Sequence, residues 1–363
     1  MRFRLLCLCS LLLASAGHSQ AVPTWRLQLD HAIRPAEGSP GAIGNILGVA
    51  VTRGGEVYVA EQKPARVTRF DAAGKFVRTV IAQGAGPREA QRAQIVLQGD
   101  TLVVHDPQLA RLTRIGPDNR LLDERLFKLN AVGFPGWATA DGTLIFESPR
   151  SGIGYNAAAV RVLPNGRLDS LTWFHDLKND RFMRWESRDW VIQGAPFSPA
   201  GRATFDQSGR LVLGATGRSR WVVLSGKDTV QTVSLPDRAV SIVPAVRDSV
   251  WKAWRAKLPA KLADPGNVLT IAKIPTTLPP WLTIDVSPAG EWWVGRPGPN
   301  GALGSWDVIV GGRVAGHVPV PPRILPPRLE MRPWSFGGSF VAIVHEDEDD
   351  LPWIGVYRVV RGR

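Results

Sequence analysis

Two nine-residue stretches constrain this chain more than any other feature. Glu61 to Arg69 (EQKPARVTR) and Asp106 to Arg114 (DPQLARLTR) share an acid, Ala, Arg, Thr and Arg at a constant offset of 45 residues. Each acid follows a short apolar run, Val57 to Val59 and Leu102 to Val104, and each Arg opens the next one. Self-similarity at this period is the signature of a supersecondary unit that cannot bury its faces alone. The acid-to-Arg spacing predicts a charged pair closing the turn between adjacent strands.

Turn residues extend the rhythm beyond the two copies. One set is Gly54-Gly55, Gly99-Asp100, Asp141-Gly142, Ser208-Gly209, Ala289-Gly290 and Gly337-Gly338. A second set follows about 20 residues later, at Ala73-Gly74, Asp118-Asn119, Asn165-Gly166, Gly226-Lys227 and Gly311-Gly312. Each unit reads as a meander of four strands. Six such units predict an all-β chain, a six-bladed β-propeller, in which stacking around an axis buries both faces of every sheet. The last unit reaches the end of the chain with only three strands. Thr24 to Ile33 alternates Trp25, Leu27 and Leu29 with polar residues and is the predicted closing strand, outermost in the last sheet.

The blade resembles those of NHL-repeat and TolB-like six-bladed propellers, and more closely those of secreted bacterial propellers of unknown function. The residues that carry the likeness are Gly55 to Glu61, Arg66 to Asp71, Gly74 to Phe76 and Gly84 to Pro87. Leu278-Pro279 through Trp293-Val294 fits a later blade. Where the family continues Gly-Pro-Gly-Glu-Phe, this chain has Gly86-Pro87-Arg88-Glu89-Ala90. The resemblance implies a fold and no specific activity.

Residues 1–21 read as an export signal: Arg2 and Arg4, an apolar run from Leu5 to Ala14 too short to span a bilayer, then small residues with cleavage after Ala16 or Ala21. The expected mature chain, 22–363, is one propeller domain, secreted or periplasmic, monomeric, and without stable membrane insertion. Both cysteines, Cys7 and Cys9, fall in the signal, so no thiolate is left to act as nucleophile or metal ligand. Removing Arg2 and Arg4 lowers the formal net charge of +12 by two. The basic excess is scattered Arg without a clustered run, which argues against nucleic acid as a partner.

Spacing between units stretches at two places, creating insertions 176–200 and 236–280. Each falls between the outer strand of one unit and the inner strand of the next, so both emerge on the same side. Val246 to Leu258 places Val250, Trp251, Trp254 and Leu258 on one helical face, with Pro244 before it and Pro259 after it. That face is expected to pack down on the propeller. In the first insertion Arg181, Arg184, Trp185 and Trp190 interleave, a composition able to stack on and hydrogen-bond acidic or sugar-like ligands, or to form a small core.

The predicted starts of the inner strands offer Asn45, Arg92, Trp137, Arg202, Trp281 and Trp334 and no carboxylate. With the insertion residues these are the candidate ligand-binding set, for a small-molecule, carbohydrate or protein ligand. A cationic and aromatic mouth disfavours a divalent-metal hydrolase or lactonase, which is the enzymatic alternative; no cofactor, metal or catalytic residue is assigned. Asp206 and Asp285 are expected to cap turns. His31, His105, His175, His317 and His345 lie in different units without ligand spacing and are expected as surface or packed strand residues. Glu346 to Asp350 is a run of five carboxylates lacking the spacing of a calcium loop, expected to be solvated or to meet the Arg-rich insertion.

Overall fold

The computed structural model describes residues 22–362 apart from 127–133, 139–142, 149–155, 163–164, 166, 175–180, 183–192, 195–196, 198–200, 207, 227, 257–273 and 326–332. The expected export signal, 1–21, lies outside these residues. Strand β1 (Arg26–Ile33) precedes the first sheet, which runs β2 (Ile46–Val51), β3 (Val57–Gln62), β4 (Ala65–Phe70) and β5 (Phe76–Gln83), with a two-residue parallel strand β6 (Glu89–Ala90) on its edge. The second sheet is β7 (Gln94–Gln98), β8 (Thr101–Asp106), β9 (Arg111–Ile115) and β10 (Leu121–Leu126). The third is β11 (Phe134–Ala138), β12 (Thr143–Ser148), β13 (Asn156–Val162) and β14 (Leu168–Phe174). A small hairpin, β15 (Arg181–Phe182) and β16 (Gln193–Gly194), lies in the first insertion. The fourth sheet is β17 (Gly201–Phe205), β18 (Leu211–Ala215), β19 (Arg220–Ser225) and β20 (Asp228–Ser234). The second insertion holds β21 (Val240–Ser241), helix α1 (Pro244–Ala256) and β22 (Thr277–Leu278). The fifth sheet is β23 (Thr283–Val286), β24 (Trp292–Pro297), β25 (Leu303–Val310) and β26 (Arg313–Pro319), and the last is β27 (Trp334–Phe336), β28 (Phe340–Glu346) and β29 (Pro352–Val360).

The order in the last sheet is β1-β29-β28-β27, with β1 antiparallel to β29 from Arg26↔Val360 to Ile33↔Ile354. The strand expected to close the last unit therefore does so as its outermost member. Its reach is greater than the sequence suggested. Thr24 forms a parallel bridge with His317 of β26, the Trp25 N–H donates to the His317 carbonyl at 2.7 Å, and the His317 N–H donates to the Pro23 carbonyl at 3.0 Å. Residues 23–33 thus staple the fifth sheet to the last.

Burial falls from the inner to the outer strand of a sheet. In the first sheet every residue of β2 is buried, β4 is buried except for the half-buried Arg66 and Arg69, and Phe76 to Thr79 of β5 is exposed. Alternate side chains then serve different neighbours. Val57 and Val59 join Val344, Ile354 and Val356 of the last sheet, whereas Tyr58 and Ala60 join Ile95, Leu102 and Val104 of the second. Likewise Trp293 packs with Trp334 and Phe336 of the last sheet, and its neighbour Trp292 packs with Trp221 and Val223 of the fourth. Sheets stacked face to face through continuous cores, each a meander with its first strand innermost, constitute a β-propeller. These contacts describe four junctions between successive sheets; the side chains of the third sheet lie outside the described residues.

Candidate functional site

In a four-stranded meander, the turn between second and third strands lies on the same side as the connection to the next sheet. That side carries both insertions. Its backbone is held by the charged residues of the repeat, and the expected strand-closing pair forms in the first sheet. Glu61 and Arg66 do face each other, with Arg66 Nε donating to Glu61 Oε2 at 2.6 Å. Glu61 also accepts the Gly44 N–H at 2.8 Å, and Arg66 donates to the Ala42 carbonyl, so the pair clamps the connection leading into β2.

In the second sheet Asp106 and Arg111 are register partners that act separately. The Asp106 carboxylate accepts the N–H groups of Gln91 (2.6 Å), Arg92 (3.3 Å), Gln108 (2.8 Å) and Leu109 (3.1 Å). Arg111 donates to the carbonyls of Ala85 (2.7 Å) and Gly86 (2.5 Å) and lies 3.6 Å from Glu124. The fifth sheet inverts the charges. Arg296 Nε donates to Asp307 Oδ2 at 2.6 Å and its Nη1 donates to the Pro280 carbonyl at 2.6 Å. In the last sheet His345 Nδ1 donates to the Pro322 carbonyl at 3.1 Å and Nε2 accepts the Tyr357 hydroxyl at 2.8 Å. The four sheets use different chemistries to the same end. In each, a polar side chain near the end of the second strand holds the connection into its own sheet. Backbone groups that cannot reach a sheet ladder are satisfied in this way.

The predicted binding residues separate into three groups. Trp281 and Trp334 are buried and belong to the core. Trp281 packs 5.3 Å from Trp221 and donates its indole N–H to the Arg218 carbonyl at 2.7 Å; Trp334 donates to Asp285 Oδ2 at 2.9 Å. Their aromatic surface is spent between sheets, which corrects the expectation that they line a binding mouth. Asp285 is corrected with them: it is buried within β23 and ties the fifth sheet to the last, while Ser287 caps the following turn. Asp206 does cap its turn, accepting the N–H groups of Ser208 and Arg210 at 2.9 Å.

Asn45 and Arg202 are exposed and Arg92 is half-buried. Arg202 Nε donates to the Leu282 carbonyl at 3.1 Å, bridging the fourth and fifth sheets. Burial pushes the Arg92 guanidinium below its ordinary value, opposed by the Asp106 carboxylate. Trp137 and Arg181 lie on strands whose side chains are outside the described residues, as are Arg184, Trp185, Trp190 and His175 entirely.

Insertion 236–280 is a stem, β21 paired with β22, carrying α1. The helix starts at Pro244, two residues before the expected start, because a proline at the first helical position sacrifices no needed N–H. Val246, Val250 and Trp251 are half-buried, and Ser249, Lys252, Ala253 and Arg255 are exposed. Of the expected apolar face, Val250 and Trp251 are thus partly covered. Trp254 lies on α1 with its side chain outside the described residues, and Leu258 and Pro259 are outside them entirely.

The acidic run forms the turn between β28 and β29. Asp347 Oδ1 accepts the N–H groups of Asp349 (3.0 Å) and Leu351 (2.9 Å), and Glu348 lies 3.7 Å from Arg323. Arg323, Ile324, Glu346, Asp347, Glu348 and Asp350 line an open polar pocket of about 320 Å³. Among the described residues no group of three or more His, Cys, Asp or Glu is arranged to hold a metal ion, and no helix is long and apolar enough to cross a membrane.

The remaining histidines are packed or paired strand residues. His105 is fully buried, donates from Nδ1 to Gln94 Oε1 at 3.1 Å, and is pushed by desolvation down to about 3. Burial also lowers His345, which stacks on Trp353 at 4.3 Å. Its partner Tyr357 is pushed up to about 12 by desolvation.

No protein-family description matches the chain, and no curated protein matches it. Solved structures do. A member of the DUF4221 family from Bacteroides vulgatus superposes with a TM-score of 0.53 at 10% identity, covering 94% of this chain and 100% of that one. A putative exported protein from Bacteroides fragilis gives a TM-score of 0.50 at 10% identity with the same coverage. Likeness at this identity speaks for architecture alone: the chain is a β-propeller similar in fold to these two bacterial proteins.

Proposed function

We propose that this chain is an exported binding scaffold, acting in the periplasm or outside the cell after loss of residues 1–21. Its six sheets form one closed ring of the NHL-repeat and TolB-like kind, and the ligand binds on the side that carries the insertions. The single observation behind this reading is the shared side: the α1 insertion, the inter-sheet connections and the turns clamped by Glu61, Asp106, Arg296 and His345 converge there. A rigid rim bearing enlarged loops is how scaffolds present binding surfaces. Asn45, Arg92 and Arg202, with the interleaved Arg and Trp of the first insertion, suit a carbohydrate or anionic group better than a divalent metal.

A variant in which 243–275 is replaced by a short Gly-containing turn across the β21–β22 stem tests the proposal. Both proteins are screened on an array of neutral and acidic glycans and against envelope extract. Wild type is expected to retain a ligand that the variant binds at least tenfold more weakly, with the melting temperature conserved. Equal binding by both removes the insertion side from consideration. Stoichiometric Ca²⁺ or Zn²⁺ in the purified protein, with ester or lactone hydrolysis, would replace the scaffold with the hydrolase reading.

A further inference from the structure

The groove between β26 and β29 is built to receive one extended segment. Gly316 of β26 supplies the space: a Cβ there would lie 2.5 Å from the Trp25 ring. Arg361, just after β29, sits over the same ring at 5.2 Å and pairs with Glu291 of the fifth sheet at 2.5 Å. Further along, Asp30 meets Arg358 at 2.5 Å, and Ile33 enters the core shared with the first sheet.

Between these anchors the segment is held by its ladder on β29 and by the Asp30–Arg358 pair, with little side-chain burial. Only Trp25 and Ile33 are buried; Arg26, Gln28, Leu29 and Asp30 are exposed, and the register slips between Leu29 and His31. The connection that follows, 34–41, lies ahead of the clamp on Ala42 and Gly44 and spans up to about 29 Å when extended. Its internal backbone bonds are local, Ser39 to Ala36 and Ala42 to Ser39, and Gly38 adopts φ +75° with open space around it. An edge strand with two terminal anchors and a long hinge opens at lower cost than the sheets beneath it. Once open, it uncovers an unpaired edge on β29 and the Trp25 slot beside Gly316.

We propose that this groove is a strand-accepting interface whose occupant in trans is residues 23–33 of a second copy of this chain. The incoming segment repeats every cis interaction: the ladder on β29, the parallel bridge at His317, Trp25 beside Gly316 and Asp30 on Arg358. Reciprocal exchange conserves these contacts in both copies, and only the hinge differs.

Single-cysteine variants of the full chain, with Cys7→Ser and Cys9→Ser, report the exchange. Arg26→Cys and Val360→Cys occupy register partners. The two proteins are mixed at high concentration in denaturant below the unfolding transition, returned to buffer and oxidised with glutathione. The proposal expects a disulfide-linked heterodimer at least tenfold above that from Arg26→Cys mixed with Val230→Cys, a remote exposed position. Excess peptide of residues 22–34 should suppress it. Heterodimer no greater than in the control, or heterodimer indifferent to the peptide, overturns the proposal. Peptide binding without heterodimer also overturns it, and assigns the groove to a foreign strand.

Discussion

The junction of the first and second sheets and the junction of the fifth and last do the same work with different materials. The first is aliphatic, built on Leu47, Val67, Ile81, Leu102, Val104 and Ile115, with Tyr58 its one aromatic. The second is an aromatic stack. Trp293 lies 4.5 Å from Phe336, and Trp306 meets Trp334 edge-on at 5.9 Å. The aliphatic junction joins sheets that follow directly in the chain. The aromatic one must in addition admit the N-terminal segment, and Trp25 joins its core. Large rings bury more area per residue than aliphatic side chains and gain from edge and stacked geometry. Of these two junctions, the seam where the chain ends meet therefore carries the heavier packing.

The comparison can be broken most forcefully at Trp306. Trp306→Ala should cost about 4 kcal/mol in chemical denaturation, because a fully buried indole leaves a cavity between two sheets. Leu102→Ala in the aliphatic junction should cost about 3 kcal/mol. Equal losses, or the reverse order, would remove the special status of the aromatic seam.

The clamps come next. Arg66→Ala leaves the buried Glu61 carboxylate with the Gly44 N–H alone and should cost about 2 kcal/mol. Asp106→Asn keeps one acceptor oxygen where four N–H groups converge and should cost a similar amount.

A pH titration sharpens the contrast further. His105 is buried neutral, with its folded value depressed from 6.5 to about 3. Its contribution is complete above pH 6.5 and declines as pH falls toward 3, because only the unfolded chain takes up the proton in that window. Between pH 7 and pH 5 wild type should lose about 2 kcal/mol that His105→Gln does not lose, measured by urea unfolding at each pH.

The smallest effect is expected at Arg88. It sits at φ +58°, where the NHL-like pattern has Gly, and its side chain donates to Asn119 Oδ1 at 3.0 Å. Arg88→Gly relieves the backbone and forfeits that bond and the one to the Val80 carbonyl at 3.3 Å, so stability should change by less than about 1 kcal/mol.

Much of the architecture is legible in the sequence because it rests on local signals. Turn pairs such as Gly54-Gly55 and Ala289-Gly290 are demanded by backbone geometry, and Gly55 and Gly290 do adopt positive φ. The closing strand is marked by the alternation of Trp25, Leu27 and Leu29. The roles of the charged residues are not legible. Asp106 and Arg111 recur at the spacing of Glu61 and Arg66, yet their partners are backbone carbonyl and N–H groups of the connection into the sheet and of the turn after Asp106, which carry no sequence identity. Trp281 and Trp334 mark the starts of inner strands in the sequence as a ligand-binding residue would. Whether such a ring faces the axis or the next sheet depends on a one-residue register that turn spacing cannot resolve. The bridge from Thr24 to His317 is parallel and joins residues nearly 300 positions apart, beyond any periodic pattern.

The central claim is that the N-terminal segment closes the molecule between its fifth and last sheets. An Arg26→Cys and Val360→Cys double variant, with Cys7→Ser and Cys9→Ser, tests this directly by thiol titration and thermal melting at low protein concentration. Closure predicts a spontaneous intramolecular disulfide in the folded monomer, stabilising it by on the order of 5 kcal/mol relative to the reduced form. Two thiols that stay free and reactive in the folded monomer would contradict it.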